Sequence, residues 1–444
     1  MSRAYFTNLG KGAPHDRNEV RLYFYHEERS SDFAKSVIDC DSKMKGWLWM
    51  LKSATRACSV CHHTDVEVMH HQKFDLPQYH VLPHQYDVVV CTHCGFTYAE
   101  TSANQCDYNQ YYTNLSKYED EEVSSGSFSD SDLARYEMVL NRVAPFLNPT
   151  SVILDIGCAN GGLLSYLKEH GYKNVTGLDP SLKCVSFMLD HNIQAVQGDL
   201  FANVLLDKGQ KYDLVIVSHV FEHLYDVEQA VTVISNYLSE DGLVYIETPN
   251  AAQYGNYYVV PYYYFDVEHI NHFTDVSLKN LFLQQSFDYV DSRQIEIPVA
   301  KNRMYPAVYT IFRKSASFQP YILQFDDSAK TSILTHLSAS NYSQINEKLA
   351  ELSRSKEPCV VWGAGQNTLR LLSETVLEAC NICCFIDKDR SKQGKMMDQA
   401  PIAAPSWLID VSYEGTIIIS SALFSQEIVA EIQAMGLSNP TIIL

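Results

Sequence analysis

Two pairs of cysteines have the most specific spacing in this chain of 444 residues. Two residues separate Cys58 from Cys61, and two separate Cys91 from Cys94, which Gly95 follows. Together the pairs supply four thiolates, the ligand set of a tetrahedral structural zinc ion. A unit of about 60 residues buries little apolar surface, so a bound ion would supply folding free energy directly. We therefore expect structural Zn²⁺ at these four cysteines.

Two other interpretations of the cysteine pairs stay open. His62, His63 and His93 lie beside the pairs and are able to replace a thiolate as ligand. The pairs are also able to carry out redox chemistry, although nothing thioredoxin-like surrounds either of them. The other cysteines stand in apolar strand or helix contexts, where we expect small core residues.

A second group of residues has the spacing of a cofactor site. Gly157 and Gly161 stand in the segment Asp-Ile-Gly-Cys-Ala-Asn-Gly over 155–161, where an apolar strand gives way to a helix. Glycine lets the backbone approach a ligand closely, and the free N–H groups at the start of the helix favour an anion or a carboxylate. Such a loop alone is weak evidence, because many α/β proteins have one.

Further polar residues end the strands that follow this turn. Asp179 ends the second strand, where its carboxylate can take two ribose hydroxyls. Asp199 and Leu200 follow the third strand, where they can contact an adenine edge, and Ser218 ends the fourth. Because the carboxyl ends of parallel strands meet at one edge of a sheet, these residues and Asp155 predict one cofactor crevice.

An aromatic segment after the fifth strand carries candidates for acid–base chemistry. Its aromatic residues, 262–265, would form a water-poor wall with polar tips. Glu268 beside His269 provides a proton acceptor and a carboxylate to orient it, where a substrate would face the cofactor. The alternative is that Glu268 and His272 only cap the helix that begins near 275.

His219, Glu222 and His223 form another polar cluster after the fourth strand. The two histidines have an H-x-x-x-H spacing, which suggests a metal site. The general base of the H-E-x-x-H zinc-protease motif is missing, however. We therefore favour the interpretation that these residues line the cofactor pocket or cap a helix.

Alternating strands and helices must position these residues. From Ser151 onwards, near-continuous Val, Ile and Leu runs alternate with amphipathic helices, which predicts an α/β fold whose parallel sheet is covered on both faces. A second strand–glycine–helix unit begins at Pro358 and contains Gly363-Ala364-Gly365, which predicts a smaller α/β unit at the C-terminus. Asp130 or Ser131 is a candidate N-cap for the helix before the first sheet.

The chain length favours about three domains. The pattern predicts an N-terminal extension, a zinc-binding domain, a central domain and a C-terminal domain, at 1–56, 57–117, 130–315 and 327–444. An acidic segment rich in Ser and Gly, from Glu119 to Asp132, predicts a linker or lid before the central domain.

Charge and hydropathy restrict the classes of partner that this chain is expected to bind. With 34 Lys and Arg against 53 Asp and Glu, the net charge of −19 would repel a phosphate backbone, so we expect no nucleic acid partner. No apolar run approaches the roughly 18–20 residues of a bilayer span, and the first residues lack the apolar region of a secretory signal. We expect a cytoplasmic protein without a membrane partner, whose substrate is a small molecule.

The cofactor markers resemble those of the class I S-adenosylmethionine methyltransferases. The resemblance rests on the Asp-Ile-Gly-Cys-x-x-Gly loop, the acidic Asp179 and the Glu222-His223-Leu224 sequence after the fourth strand. It implies S-adenosylmethionine as cofactor, although Ala159 stands where the family usually has Gly. An NAD-dependent dehydrogenase is an alternative, but the loop departs from G-x-G-x-x-G. A further alternative is that the glycines serve packing only.

Order and motifs together resemble one family from about Cys58 to the C-terminus: the three-domain nucleotide-sugar C-methyltransferases of branched deoxysugar biosynthesis. The family has a four-Cys zinc domain, a methyltransferase domain and a C-terminal Rossmann-like domain. Its H-E-H motif becomes Val267-Glu268-His269, so the resemblance implies His269 as catalytic base with Glu268 nearby. It also implies a substrate-pocket tyrosine among Tyr108, Tyr111 and Tyr112, of which we take Tyr112. Where the family has a Lys after its C-terminal glycine loop, this chain has Gln366-Asn367-Thr368.

Three hypotheses for function follow. The first is methylation of a carbon atom of a nucleotide-linked 4-keto-deoxysugar through an enolate. The second keeps the same methyl donor but moves the acceptor to oxygen or nitrogen of a saccharide or another small metabolite. The third is a non-catalytic assembly subunit that uses zinc and two nucleotide-binding-like folds to dock a partner.

Overall fold

The computed structural model describes residues 50–78, 80–114, 129–202, 204–205, 209–300, 303–317 and 319–444. The predicted N-terminal extension up to residue 49 lies outside the described residues. So does the predicted acidic linker up to residue 128.

The first sheet is antiparallel throughout. Its strands are β1 (Met50–Ser53), β2 (Asp65–Lys73), β3 (Gln85–Cys91), β4 (Thr97–Glu100) and β10 (Asn271–His272), in that spatial order. Helix α1 (Gln105–Asn114) follows β4 in the chain. The short strand β10 lies just after the aromatic segment that contains Glu268 and His269. Its pairing with β4 brings that segment to the edge of the first sheet.

The second sheet contains the predicted strand–helix alternation. Its order is β11-β12-β9-β8-β5-β6-β7. The strands are β5 (Val152–Ile156), β6 (Asn174–Asp179), β7 (Gln194–Gln197), β8 (Tyr212–Ser218), β9 (Leu238–Pro249), β11 (Phe287–Ala300) and β12 (Arg303–Lys314). The helices that belong to it are α2 (Asp130–Val143), α3 (Gly162–Glu169), α4 (Leu182–Asp190), α5 (Val227–Tyr237) and α6 (Asp275–Leu283). The alternation of strands and helices is that of an α/β fold, as predicted.

The second sheet is mixed rather than fully parallel, which corrects the sequence prediction. Strand β12 runs antiparallel to both of its neighbours, β11 and β9. The connection between β11 and β12 is too short for the crossover that parallel neighbours require, so the two strands form a hairpin. The remaining neighbours are parallel, and their carboxyl ends therefore share one edge.

The third sheet lies near the C-terminus and has the order β15-β16-β14-β13-β17-β18. Its strands are β13 (Pro358–Trp362), β14 (Asn381–Ile386), β15 (Met396–Met397), β16 (Ala400–Ala403), β17 (Thr416–Ile419) and β18 (Thr441–Ile443). All neighbours are parallel except β15 and β16. Its helices are α8 (Ser343–Ser355), α9 (Gln366–Glu374), α10 (Trp407–Asp410) and α11 (Ser425–Ala434). Helix α7 (Ser328–Ala339) precedes them and packs instead into the core that contains the aromatic segment.

Both faces of the second sheet are buried. In β8, Leu214 and Ile216 pack into the apolar core on one face, while Val215 and Val217 pack into the core on the other. Alternate side chains of a strand point to opposite faces, so a run of four apolar residues serves two cores. Each fully buried side chain of this size contributes about 1.5–3 kcal/mol, which makes the centre of this sheet a firm support for the residues at its edge.

The start of α2 differs from the prediction. Ser129, rather than Asp130 or Ser131, is the N-cap: its side chain accepts from the backbone N–H of Asp132 at 3.2 Å. The Asp132 carboxylate accepts from the backbone N–H of Ser129 at 3.1 Å, which completes a capping box. The end of the predicted linker is therefore helical. Among the described helices, none has the length and apolar character needed to cross a membrane.

Candidate active site

A cavity of about 1240 Å³ opens at the carboxyl edge of the second sheet. Its wall combines residues of the second sheet, of helix α1 after the first sheet, and of the glycine turn in the third sheet. Gly157, Asp179 and Asp199 line it at the second sheet, and Tyr112, Glu268 and His269 line it where the aromatic segment passes. Seven of the predicted site residues, Leu200 among them, therefore meet in one cavity.

The turn after β5 forms the first part of the wall. Gly157 has a φ of 70°, and a Cβ added there would lie 2.5 Å from Cγ2 of Val220. The backbone N–H of Ala159 donates to the Asp179 carboxylate at 2.8 Å, and the N–H of Ser181 donates to its other oxygen at 2.9 Å. Asp179 is thus fixed at the strand end by the turn itself, with its carboxylate at the cavity.

The third strand contributes Asp199 and Leu200, both in the cavity wall. The Asp199 carboxylate accepts from the backbone N–H of Phe201 at 2.7 Å and from the side-chain amide of Asn109 at 2.9 Å. Asn109 belongs to α1, so the unit with the cysteine pairs reaches the predicted cofactor crevice. The sequence contains no signal for this contact, because 90 residues separate the partners.

Three predicted cofactor residues do not line the cavity among the described residues: Asp155, Gly161 and Ser218. Asp155 is only 5% exposed within β5, and burial and then the neighbouring Asp179 raise its pKa to about 8. Gly161 is the N-cap of α3, with a φ of 76°, and Ser218 ends β8. None of the three is therefore placed to touch a ligand in the cavity.

Glu268 lies at the junction of three elements. Its carboxylate accepts from the Tyr111 hydroxyl at 2.7 Å and from the Tyr112 hydroxyl at 3.5 Å, both on α1, and from the side-chain amide of Gln366 at 3.3 Å. Burial and the Glu268 charge raise the pKa of Tyr111 above its ordinary range, which keeps its hydroxyl a donor. The shorter bond of Tyr111 leaves Tyr112 as the more weakly held hydroxyl at the cavity.

The carboxylate that faces His269 is that of Asp266, not the predicted Glu268. Asp266 Oδ2 lies 3.7 Å from Nδ1 of His269. Its other oxygen accepts from the backbone N–H groups of Glu268 and His269, at 3.0 and 2.8 Å. Although burial opposes the charge, the His269 ring and backbone N–H lower the pKa of Asp266. The segment folds back on itself, so the orienting carboxylate comes three residues earlier in the chain.

The alternative that Glu268 and His272 cap a helix is wrong. Helix α6 begins with Thr274 as N-cap, whose side chain accepts from the backbone N–H of Ser277 at 3.1 Å. His272 is buried in the core, and burial lowers its pKa to about 3.

His219 forms a buried cluster with two carboxylates. Its Nδ1 is 3.2 Å from Glu222, and its Nε2 is 3.3 Å from Glu247. Burial opposes the imidazolium, but the contacts with Glu222 and Glu247 outweigh it and raise the pKa of His219. Arg142 also pairs with Glu247, at 2.7 Å. His219 and Glu222 both line the cavity, as predicted, and His219 is held there by these ion pairs.

Two clusters among the described residues have donor atoms close enough to hold a metal ion. Glu222, His223 and His269 form one, within the cavity. The four predicted cysteines form the other: Sγ of Cys58 and Cys94 are 3.6 Å apart, and Sγ of Cys61 and Cys91 are 3.4 Å apart. Tetrahedral zinc with Zn–S bonds of about 2.3 Å needs sulfur atoms about 3.8 Å apart, so the four thiols fit that ion.

The third sheet supplies the far end of the cavity. After β13, the backbone N–H of Ala364 donates to the Asp387 carboxylate at 2.8 Å. The Lys392 ammonium lies 3.1 Å from the same carboxylate, and Lys388 and Lys395 also line the cavity. Asp389 and Glu431 also line this end, where they pair with Lys392 at 3.3 Å and with Lys388 at 2.8 Å. This end of the cavity therefore combines a glycine turn with lysines that are paired with carboxylates.

Comparisons with known proteins identify two segments. Residues 131–292 match the family described as "Methyltransferase domain", and residues 355–443 match the family described as "C2185-like, N-terminal". A probable (S)-tetrahydroprotoberberine N-methyltransferase 2 from Papaver bracteatum is 26% identical over 132 residues, covering 28% of this chain and 35% of that protein. A ubiquinone biosynthesis O-methyltransferase from Rhizobium leguminosarum bv. trifolii (strain WSM2304) is 36% identical over 102 residues, covering 22% and 40%.

Among solved structures, coclaurine N-methyltransferase bound to N-methylheliamine and SAH has a TM-score of 0.34 at 15% identity, covering 43% of this chain and 74% of that chain. The chain spans less than half the length of both of these curated relatives. The matches to curated relatives thus concern only one part of the chain.

Proposed function

We propose, from the premise that residues 131–292 are a class I S-adenosylmethionine-dependent methyltransferase domain, that this chain methylates a carbon atom of a nucleotide-linked 4-keto-deoxysugar. The premise makes the chain an enzyme, so the hypothesis of a non-catalytic assembly subunit is wrong. It also stands against the dehydrogenase alternative. The proposal goes further than the premise in the substrate and in the atom that is methylated.

The observation that carries the proposal is the continuity of the cavity. One space joins the strand ends with Asp179 and Asp199, the segment with Glu268 and His269, and the turn at 363–365 with its lysines. A methyl acceptor in the middle would therefore have a cofactor crevice on one side and a glycine turn with lysines, themselves paired with carboxylates, on the other. An acceptor attached to a nucleoside diphosphate has the length for that arrangement, and its phosphates would compete with the carboxylates for the lysines.

The residues at the second sheet fit the proposed cofactor. Asp179 offers a carboxylate for the ribose hydroxyls, Asp199 and Leu200 flank the place of the adenine, and the turn at Gly157 offers backbone amides. When bound, S-adenosylmethionine supplies an electrophilic methyl group, which leaves its sulfonium as the sulfur keeps the electron pair.

The residues of the aromatic segment fit removal of a proton from carbon. Asp266 faces Nδ1 of His269, so Nε2 is the atom proposed to take the proton next to the substrate carbonyl. The electron pair left behind forms the enolate, whose oxygen needs a hydrogen-bond donor. Tyr112 is proposed for that role, because its bond to Glu268 is long and the residue lines the cavity. Glu268 holds Tyr111 and Tyr112 in place.

The rest of the chain is assigned in the same proposal. The unit at 57–117 is proposed to be a structural zinc domain, and 327–444 a Rossmann-like domain that holds the diphosphate at the turn 363–365. Together with the central domain, they would make this a member of the three-domain nucleotide-sugar C-methyltransferases.

The test is a reaction with a panel of dTDP- and UDP-linked 4-keto sugars, analysed by mass spectrometry and NMR. We expect a product with a new C–CH₃ group, and exchange of the hydrogen beside the carbonyl with solvent deuterium before methyl transfer. His269→Gln should abolish both exchange and turnover while leaving the affinity for S-adenosylmethionine unchanged. His170→Gln, at an exposed histidine after α3, is the matched control and should behave as the native protein.

A second candidate is methyl transfer to oxygen or nitrogen of a saccharide or another small metabolite. The relatives that match the central domain favour it, because their names describe N- and O-methyltransferases. In that case the product would carry an O–CH₃ or N–CH₃ group, and no hydrogen on carbon would exchange. This outcome would replace the carbon acceptor but keep the methyl donor.

The zinc assignment has its own test. Metal analysis of the purified protein should find one zinc per chain, and Cys58→Ser should release it and lower the thermal midpoint. Cys106→Ser is the matched control, because Cys106 is exposed and lies outside the four-thiol cluster. A well-folded native protein that contains no metal would refute the assignment.

A further inference from the structure

The segment with the proposed acid–base residues is held from outside its own domain. Helix α9, in the third sheet's unit, presents Gln366 and Arg370 to it. These residues are four positions apart, so they lie on one face of the helix. Arg370 is only 2% exposed and donates to the backbone carbonyls of Phe265 at 2.9 Å and Tyr263 at 3.4 Å. The backbone just before Asp266 is therefore fixed by a helix residue from the third sheet's unit.

Gln366 contacts the same segment at its other end. Its Nε2 donates to the Glu268 carboxylate at 3.3 Å, while its Oε1 accepts from the backbone N–H of Val267 at 3.5 Å. The two bonds use both ends of one side-chain amide, so they define its orientation. The third donor to Glu268 thus comes from a residue 98 positions away, whereas the two tyrosines come from α1.

Gln366 also stands directly after the glycine turn. It is the first residue of α9, and Gly365 is the N-cap without a side-chain cap bond. The turn, Gln366 and Asn367 all line the cavity. Whatever fixes the turn also fixes the start of the helix that holds Glu268.

We propose that Gln366 is a positioning residue for Glu268, through which the third sheet's glycine turn controls the geometry of the acid–base segment. Gln366 acts on Glu268 and Val267, and Glu268 in turn holds Tyr111 and Tyr112. The proposal rests on the proposed function for its effect on turnover. Its effect on the backbone of 263–270 is independent of the substrate.

The kinetic test compares three variants. Gln366→Met keeps the length of the side chain and removes both bonds, and Gln366→Lys restores a donor. Gln433→Met changes an exposed glutamine on α11 and is the matched control. We expect Gln366→Met to lower kcat about tenfold with KM for the acceptor and affinity for S-adenosylmethionine within twofold of native. Gln366→Lys should recover most of that loss, and Gln433→Met should have none.

The second measurement needs no acceptor. Amide hydrogen exchange of 263–270, followed by mass spectrometry, should be faster in Gln366→Met than in the native protein. Addition of UDP or dTDP should slow exchange in the native protein and in Gln366→Lys, but much less in Gln366→Met. If no keto-sugar is methylated, the proposed function fails while this measurement still decides the role of Gln366.

Three results would overturn the proposal. The first is an amide hydrogen exchange rate of 263–270 in Gln366→Met equal to that of the native protein. The second is a kcat for Gln366→Met equal to that of Gln433→Met in a native protein that turns over. The third is an equal loss in Gln366→Met and Gln366→Lys together with a lower thermal midpoint, because that pattern describes a structural role only.

Discussion

The turns after β5 and β13 share one backbone design. In each, the glycine N–H donates to the last apolar residue of the neighbouring strand at 2.8 Å: Gly157 to Leu178, and Gly363 to Ile386. In each, a second backbone N–H of the turn donates to the aspartate at the end of the neighbouring strand: Ala159 to Asp179, and Ala364 to Asp387, both at 2.8 Å. The backbone of the two turns therefore does not distinguish their ligands.

The side chains around the two turns differ in charge. Two residues before the glycine, the second sheet has Asp155 where the third has Val361, and both are buried. Beside the aspartate, the third sheet has Lys392, at 3.1 Å from Asp387, with Lys388 and Lys395 in the same cavity wall. These lysines stand among carboxylates: Lys392 is also 3.3 Å from Asp389, and Lys388 is 2.8 Å from Glu431. The third sheet's turn thus has lysines paired with carboxylates, whereas the second sheet's turn has a buried acid. The proposed division of ligands, a cofactor at one turn and a phosphorylated group at the other, therefore rests on these side chains rather than on turn geometry.

The largest effect is expected from removing the aspartate of the second sheet. Asp179→Ala should weaken binding of S-adenosylmethionine at least about 100-fold, because the two charge-assisted hydrogen bonds proposed to ribose would be lost at about 1.5–3 kcal/mol each. Asp387→Ala is the matched change in the third sheet and should leave that affinity within twofold. Isothermal titration calorimetry measures both. Equal losses in the two variants would contradict the division of ligands.

The glycines of the two turns should differ in their tolerance of a side chain according to their backbone conformation, since Gly363, the counterpart of Gly157, also has a positive φ, of 117°. Gly157→Ala requires a φ of 70° and brings Cβ to 2.5 Å from the branched side chain of Val220, so unfolding free energy should fall by about 2 kcal/mol. Gly365→Ala is the control: its φ is −121° and nothing lies within 4 Å of the added Cβ. Thermal unfolding should show a lower midpoint for Gly157→Ala alone, and similar midpoints would remove the steric part of the comparison.

A smaller effect is expected at the lysines. Lys392→Ala should weaken binding of UDP or dTDP about tenfold, with a smaller dependence on salt, while binding of S-adenosylmethionine stays native. Lys348→Ala, at an exposed lysine on α8, is the control and should change neither. Calorimetry at two salt concentrations separates the charge effect from a packing effect. An unchanged affinity of Lys392→Ala for UDP or dTDP would contradict the proposal that phosphate binds at this turn.

The sequence predicted the parts of this fold that depend on local patterns. The Val-Ile-Leu runs of β5 and β8 and the acidic residue at the end of β6 lie within a few residues of the turns that they serve. Such patterns report which faces are buried and where strands end. The antiparallel direction of β12 was not predicted, because strand direction depends on the connection between strands and not on their composition.

The site was predictable to the extent that its residues share one segment or one sheet edge. Glu268 and His269 were found from their neighbours in the chain, but the carboxylate facing His269 is Asp266, because the backbone folds back by three residues. Asn109 and Gln366 reach the cavity from elements 90 and 98 residues away from their partners. Such contacts arise when separate units pack together. A single amide side chain has no sequence pattern from which its distant partner could be predicted.

The smallest effect in the comparison concerns Asp155, which has no carboxylate counterpart in the third sheet. Its pKa is raised to about 8 in the folded protein, from 3.8. A carboxyl group of this kind favours the folded state while it is protonated, so its contribution is complete below pH of about 4 and is lost as the pH rises towards 8. Asp155→Asn keeps the shape of the neutral acid, so its thermal midpoint should exceed that of the native protein by a few degrees near pH 8 and match it near pH 4.

Two controls make the Asp155 prediction specific. Asp190→Asn, at an exposed residue that ends α4, should follow the native protein across the same pH range. Saturation with S-adenosylmethionine should narrow the gap between Asp155→Asn and native protein at pH 8, because a positive ligand favours the charged carboxylate. A gap of constant size from pH 4 to 8 would mean that the substitution acts through packing.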